Sequence, residues 1–232
     1  MMAYKHLFFD LDHTLWDFRG NSRATLRELH EAHGLANDGV PDAEAFIEVY
    51  EEINHAMWGQ YTNGRMPKEV LRVLRFRNTL ARFGVKENGL AATLGRDYLG
   101  SCPRKTLLMP GAMDLLHSLH GSYKMHIITN GFDEVQSEKL RNSGIGGFFE
   151  VVLSSEKAGA SKPDERIFLE AARRSGAMAM DSLMIGDNAD ADMAGARRAG
   201  WDHVHYAAET DPDPEATYRI THWCELPDLL RG

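Results

Sequence analysis

The sequence predicts an α/β fold: a parallel sheet with helices on both faces, plus an inserted all-helical cap. Three observations predict it. Short apolar runs recur at 6–11, 125–131, 149–155 and 182–188, each ending in polar residues or glycine. Helical patterns separate the later runs, and strand–helix alternation requires crossovers that make a sheet parallel. Between residues 16 and 105 the alternation stops and only helical periodicity remains.

Taken in order, HLFFDL (6–11) reads as a short buried strand with acids at its far end. EAFIEVYEEINHAMWGQY (44–61), KEVLRVLRFRNTLARFG (68–84) and ENGLAATLGRDYLG (87–100) read as helices. The expected division is a core of residues 1–15 and 106–232 with a cap spanning 16–105. An insertion over the ligand end of a sheet is a natural lid. Within it, Met57, Met66 and Leu71 are expected to pack. Arg72, Arg75, Arg77 and Arg82 are expected to form a solvated or ion-paired helix face.

GAMDLLHSLHG (111–121) is apolar at Met113, Leu115, Leu116 and Leu119 and ends on glycine. MHIITNG (125–131) and FEVVLSS (149–155) are the next strands. ERIFLEAARRSG (165–176) has Pro163 ahead, acids in its first turn and Gly176 at its end, the expected start, dipole and stop signals. SLMIGDN (182–188) is a fourth strand and HVHYAA (203–208) a weaker fifth. Ligands of such sheets bind at the carboxyl ends of the strands, where these polar residues fall.

Composition narrows the function. With 43% hydrophobic and 26% charged residues the chain can bury a core, so long disorder is not expected. A net charge of −8 argues against a nucleic acid polymer as partner, since phosphate backbones favour basic faces. It leaves a small phosphorylated metabolite open, because a metal ion can meet that charge locally. Cys102 and Cys224 lie far apart and fit reduced thiols. The first apolar run, Leu7 to Phe9, is neither a signal peptide nor a membrane span. A cytoplasmic protein without a membrane partner, monomer or homodimer, is expected.

The candidate chemistry sits at the strand ends. In Asp10-Leu11-Asp12-His13-Thr14, both carboxylates can converge on one site as the chain leaves the sheet. One aspartate can attack phosphorus while the other protonates the leaving alkoxide and then activates water. Thr129-Asn130-Gly131 offers a hydroxyl and backbone N–H groups to a phosphate oxygen. Lys162 precedes a proline, which favours an extended backbone at a helix entrance. From there its ammonium can neutralise the nucleophile and the transferring group; Lys157 is a rival without that proline. Gly186 lets the backbone approach a ligand. Asp187 can coordinate a hard cation such as Mg2+. Asp192 can hold either Lys162 or a metal-bound water, and Asp190 fits a helix cap or an exposed site. Three acids within six residues repel one another unless a cation compensates. In the cap, Trp58, Tyr61, Asn63 and Arg77 are candidates for contacting a base or sugar, although Trp58 and Tyr61 read more readily as core residues of the helical bundle.

FFDLDHTL, IITNG, SKPDERIF and MIGDNADADMAGARRAG together resemble the four motifs of the haloacid dehalogenase-like phosphatases. The resemblance runs essentially end to end and implies a Rossmann-like core and an aspartyl-phosphate intermediate. It makes Asp10 the nucleophile, Asp12 the general acid/base and Lys162 the charge neutraliser, with Thr129 and Asn130 binding phosphate. It implies Mg2+ on Asp10, Asp187 and the Asp12 backbone carbonyl, supported by Asp192. The insertion looks like the cap of the subgroup that inserts after the first motif. WGQYTNGRM (58–66), LRFRNTL (74–80) and ITNGFDEVQSEKLRNSG (128–144) are similar to bacterial pyrimidine 5′-nucleotidases of the house-cleaning type. His13 departs from the acid or glycine common at that position.

A sugar-phosphate or other small-metabolite phosphatase is the alternative, with a phosphomutase behind it. A 2-haloacid dehalogenase has no use for Asp12 or for the acids at 187–192, because halide departs without a proton and no phosphate dianion needs a metal. A catalytically silent module would have lost one of Asp10, Asp12, Lys162 or Asp187, and all are present.

Overall fold

The computed structural model describes residues 4–86, 89–208, 211 and 213–231. Its chain forms two compact units, Met1–Phe18 with Thr106–Gly232, and Arg19–Lys105.

The second unit is built from α1 (Phe18–Ala32), α2 (Ala43–Thr62), α3 (Lys68–Arg82) and α4 (Leu90–Ser101). Glu87 and Asn88, where the last of these was expected to begin, lie outside the described residues. Helix α1 was not anticipated, because Gly20, Asn21 and Ser22 are weak helix formers in its first turns. Asp42 caps α2 by accepting from the Glu44 N–H at 2.9 Å. The core centres on Tyr50, Phe76 and Tyr98, whose ring centroids lie 4.9 to 5.7 Å apart. Helices α3 and α4 approach so closely that a Cβ on Gly95 would stand 2.7 Å from the Arg72 carbonyl oxygen.

One expectation about this unit is corrected. Arg75 is not on a solvated face but 2% exposed. Residues 71, 75 and 79 form the inward stripe of α3. The Arg75 guanidinium lies over the Tyr98 ring at 4.8 Å and donates to Asn54 Oδ1 at 3.0 Å. Arg77 is exposed, and Arg82 pairs with Glu52 at 3.1 Å on the surface. Met57 and Leu71 are buried.

Among its described residues the first unit holds six parallel strands: β1 (His6–Phe9), β2 (Lys124–Thr129), β3 (Phe149–Ser154), β4 (Ser182–Gly186), β5 (Asp202–Tyr206) and β6 (Tyr218–Ile220). Their spatial order is β3-β2-β1-β4-β5-β6. Strand β6 escaped prediction because three residues are too short for a periodic signal. Its helices are α5 (Ala112–Leu119), α6 (Asp133–Asn142), α7 (Ser155–Ala158), α8 (Glu165–Ser175), α9 (Ala194–Arg198) and α10 (Leu226–Arg231). Gly176 ends α8 in the left-handed region, as its position in the sequence suggested.

Strand side chains alternate between the two faces. Phe8, Ile128 and Met184 join Ile167 and Phe168 of α8, Ala196 of α9 and Trp201 in one cluster. Phe9, facing the other way, meets Trp223 beside α10. Both faces are therefore covered. The chain runs outward from β1 through β2 to β3, then returns to place β4 on the other side of β1. The carboxyl ends of β1 and β4 thus flank a topological switch point, the usual ligand crevice of such sheets. Among the described residues no helix is long and apolar enough to cross a membrane.

Lower in the sheet, His6 and His126 stack, with Nδ1 of the first 3.1 Å from Nε2 of the second. Burial pushes His126 down to about 4 and lowers His6 too. Folding therefore disfavours the charged form of both rings, whereas the unfolded chain takes up protons below about 6.5. The unfolded state then binds more protons, so stability should fall as pH drops from about 6.5 to about 4. Denaturant unfolding across that range should show this slope, and His126→Gln should flatten it.

Candidate active site

β1 ends at Phe9, and Asp10 follows with its N–H donating to the Ile185 carbonyl of β4 at 2.9 Å. The backbone then turns tightly. Leu15 and Trp16 N–H groups return to the Leu11 carbonyl, and His13 takes a φ of 63°. That left-handed conformation costs glycine little and is more tolerable for histidine than for bulky residues, which accounts for the residue found there.

Lys162 reaches Asp10 from the loop between α7 and α8. Its ammonium is 2.5 Å from Asp10 Oδ1 and 2.6 Å from Asp192 Oδ1, and donates to the Ile128 carbonyl at 2.9 Å. Asn130 holds this lysine's backbone, accepting from its N–H at 2.8 Å and donating to its carbonyl at 3.0 Å. The Asn130 side chain is thus occupied in fixing Lys162. Lys157 pairs instead with Asp133 at 2.8 Å.

Ligand oxygens of Asp10, Asp187 and Asp192 lie within 4.8 Å of one another. Burial pushes the Asp10 carboxyl up to about 7, Asp192 adding to the rise and Lys162 opposing it. Burial and then Asp10 push Asp187 up to about 6. Asp192 is raised by burial as well. Burial works against the Lys162 ammonium, but Asp10 and Asp192 outweigh it and hold the group above its ordinary range. One ammonium among three carboxylates leaves negative charge in excess. The donors are all hard oxygens. That set fits a hard divalent cation held by Asp10 and Asp187.

Asp187 is steadied from two sides: Thr14 donates to its Oδ1 at 2.9 Å, and His205 Nε2 meets its carbonyl at 2.8 Å. Asp190 is exposed, and Asn188 caps the following turn by accepting from the Ala191 N–H at 2.9 Å. Thr129 Oγ1 accepts from the Gly131 N–H at 3.1 Å and from Gln136 Nε2 at 2.6 Å. With both lone pairs engaged, its hydroxyl is presented as a donor.

The sequence reading missed four participants: Thr14, Gln136, Lys139 and His205. Gln136 Nε2 donates to Asp12 Oδ2 at 2.9 Å, and Lys139 Nζ to Oδ1 at 2.5 Å. A signal existed. Positions 136, 139, 140 and 143 of α6 and its end share the inward face, yet three of the four are polar. Trp58 and Tyr61 are half-buried and meet edge to face at 5.3 Å, so neither belongs to the aromatic centre of the helical unit. Asn63 donates to the Gly59 carbonyl at 2.7 Å at the end of α2.

Comparison with known proteins adds the family. Residues 4–200 match the model of the haloacid dehalogenase-like hydrolases. The chain belongs to that family. It is 31% identical to pyrimidine 5′-nucleotidase PynA of Streptococcus pneumoniae, over 99% of this chain and 96% of that one. It is 29% identical to pyrimidine 5′-nucleotidase YjjG of Escherichia coli, over 99% of each. Among solved structures, the HAD-hydrolase YfnB of Bacillus subtilis, bound to magnesium, superposes with a TM-score of 0.89 at 29% identity. That match covers 99% of this chain and 100% of YfnB. This HAD-family member is a phosphoric monoester hydrolase.

Gly186 has a local reason to be glycine. A Cβ there would stand 2.2 Å from Asp192 Oδ2 and 2.9 Å from Asp192 Cβ. Gly186→Ala should displace Asp192 and loosen Lys162. We expect a loss of about 1–3 kcal/mol in denaturant unfolding, with phosphatase turnover falling by more than the loss of folded protein explains.

Proposed function

We propose that this protein is a Mg2+-dependent nucleotidase that hydrolyses pyrimidine nucleoside 5′-monophosphates through an aspartyl-phosphate on Asp10. One observation carries the reading: Asp10, at the switch point, touches Lys162 and shares its surroundings with Asp187 and Asp192. The naming of PynA and YjjG supports the substrate, and the magnesium bound to YfnB supports the metal.

Asp10 attacks the phosphoryl group in line, and Lys162 stabilises the oxygens that gain charge. Asp12 protonates the leaving 5′-oxygen, then takes a proton from the water that hydrolyses the acyl phosphate. Thr129 donates its hydroxyl to a phosphate oxygen, joined by the backbone N–H of Asn130. Asp10, Asp187 and the Asp12 carbonyl would hold the cation, which would supply charge neutralisation for the phosphoryl group. Asp192 keeps Lys162 in place. The cap, read as residues 16–105, selects the leaving group, with Trp58, Tyr61, Asn63 and Arg77 as its candidate contacts.

Asp10→Asn should leave less than about 1% of wild-type turnover, since losing covalent catalysis costs several kcal/mol; higher residual activity would reassign the nucleophile. Chelation with EDTA should abolish turnover and Mg2+ should restore it. A panel of phosphorylated metabolites should favour UMP and its relatives over sugar phosphates. Equal low rates across the panel would overturn the nucleotidase reading while leaving the phosphatase intact.

A further inference from the structure

Helix α6 starts just beyond the Thr129-Asn130-Gly131 turn and turns two buried polar side chains inward. Lys139 is 3% exposed and Gln136 1%. Burying a lysine is costly unless its charge is met, and an inward helix position ordinarily takes an apolar residue. Here the ammonium meets Asp12 Oδ1 at 2.5 Å and lies over the rings of Trp16 at 4.5 Å and Phe18 at 5.4 Å. Gln136, one turn earlier on the same face, uses one Nε2 for Asp12 Oδ2 and Thr129 Oγ1.

We infer that Lys139 and Gln136 are positioning residues that aim Asp12 at the leaving-group oxygen. The inference rests on the acid/base role proposed above for Asp12. A carboxylate gripped through both oxygens cannot rotate freely about its Cβ–Cγ bond, and each oxygen keeps a second lone pair for the reacting partner. The ammonium lies over two aromatic rings and the side chain is almost wholly buried, which narrows the positions open to it. In the first half-reaction the Asp12 O–H bond and the ester P–O bond break while the proton passes to the leaving oxygen. The carboxylate left behind keeps the Lys139 ammonium on its Oδ1. In the second half-reaction that carboxylate takes a proton from water as the water oxygen bonds to phosphorus. Because Gln136 also holds Thr129, one side chain links the acid to the phosphate cradle. Misplacing a reacting group by about 1 Å can cost about 100-fold in rate, so such a clamp has room to matter.

The test uses leaving groups of different acidity on the full-length, Mg2+-loaded enzyme. p-Nitrophenolate departs with little need of a proton, whereas phenolate gains more from one. Lys139→Met keeps the apolar stem and removes the charge. It should lower kcat/KM about 30-fold on phenyl phosphate and about 3-fold on p-nitrophenyl phosphate, a part of the roughly 100-fold or more that general acid catalysis contributes. Gln136→Met should show the same bias, and carries the test if Lys139→Met fails to fold by circular dichroism. In an Asp12→Asn background, Lys139→Met should change neither rate beyond about 2-fold, because the two act as a unit. Parallel losses on both substrates would overturn the clamp. If Asp12→Asn discriminates between the substrates and the clamp variants do not, the clamp alone falls. If Asp12→Asn itself does not discriminate, the acid assignment falls and takes the clamp with it.

Discussion

The first unit is organised around the buried ammonium of Lys162. It is 4% exposed and stands between Asp10, just past β1, and Asp192, in the helical turn that follows β4, both buried. Removing the lysine would leave buried carboxylates without their counter-charge in a low-dielectric setting, a loss of about 3–5 kcal/mol for buried pairs in general. The surroundings serve to keep this lysine where it is. Asn130 grips its backbone, Ile128 accepts from its ammonium, and Gly186 gives Asp192 the space to face it. A group held on so many sides offers its charge without having to reorganise, which is what electrostatic stabilisation of a transition state requires.

Topology makes such a meeting possible between residues more than 150 positions apart. β1 is central, with β2 and β4 on either side in parallel register, so all three strands deliver their following residues to the same edge. From β1 come Asp10 and Asp12, from β2 Thr129 and Asn130, from β4 Asp187. Lys162 arrives by the crossover after β3. The hydrophobic cluster of Phe8, Ile128, Met184, Phe168 and Trp201 fixes these strands and helix α8 together. A Cβ on Gly195 would stand 2.4 Å from the Phe168 ring, so the α8–α9 contact leaves little slack beneath Lys162.

Much of this was legible in the chain because strand ends are marked by chemistry. Apolar runs closing on Asp10, on Thr129-Asn130 and on Gly186-Asp187 announce both the sheet and its reactive edge. What stayed hidden obeys different physics. Lys139 and Gln136 occupy a helix whose apolar residues are few, so charge-rich α6 reads as solvated although its inward face is buried. Arg75 reads as surface for the same reason, and the aromatic rings around it together with Asn54 account for its burial. His205 acts through a backbone carbonyl, a contact no motif encodes. Asn130 was read as a phosphate ligand, and its grip on Lys162 depends on two loops meeting in space.

The two aspartates of the first motif differ most in what surrounds them. Asp10 shares one lysine with Asp192 and has Asp187 nearby, and burial lifts it to about 7 even against the opposing pull of Lys162. A nucleophile must be ionised, so this pocket needs positive charge beyond Lys162 to work at neutral pH, and the oxygens of Asp10 and Asp187 are where that charge can bind. Asp12 is nearer solvent, with a quarter of its side chain exposed, and has a lysine and an amide of its own. One carboxylate is desolvated and short of positive charge; the other is aimed and partly hydrated. Neighbouring groups placed in such unlike settings can take separate roles, the first in bonding to phosphorus and the second in moving a proton.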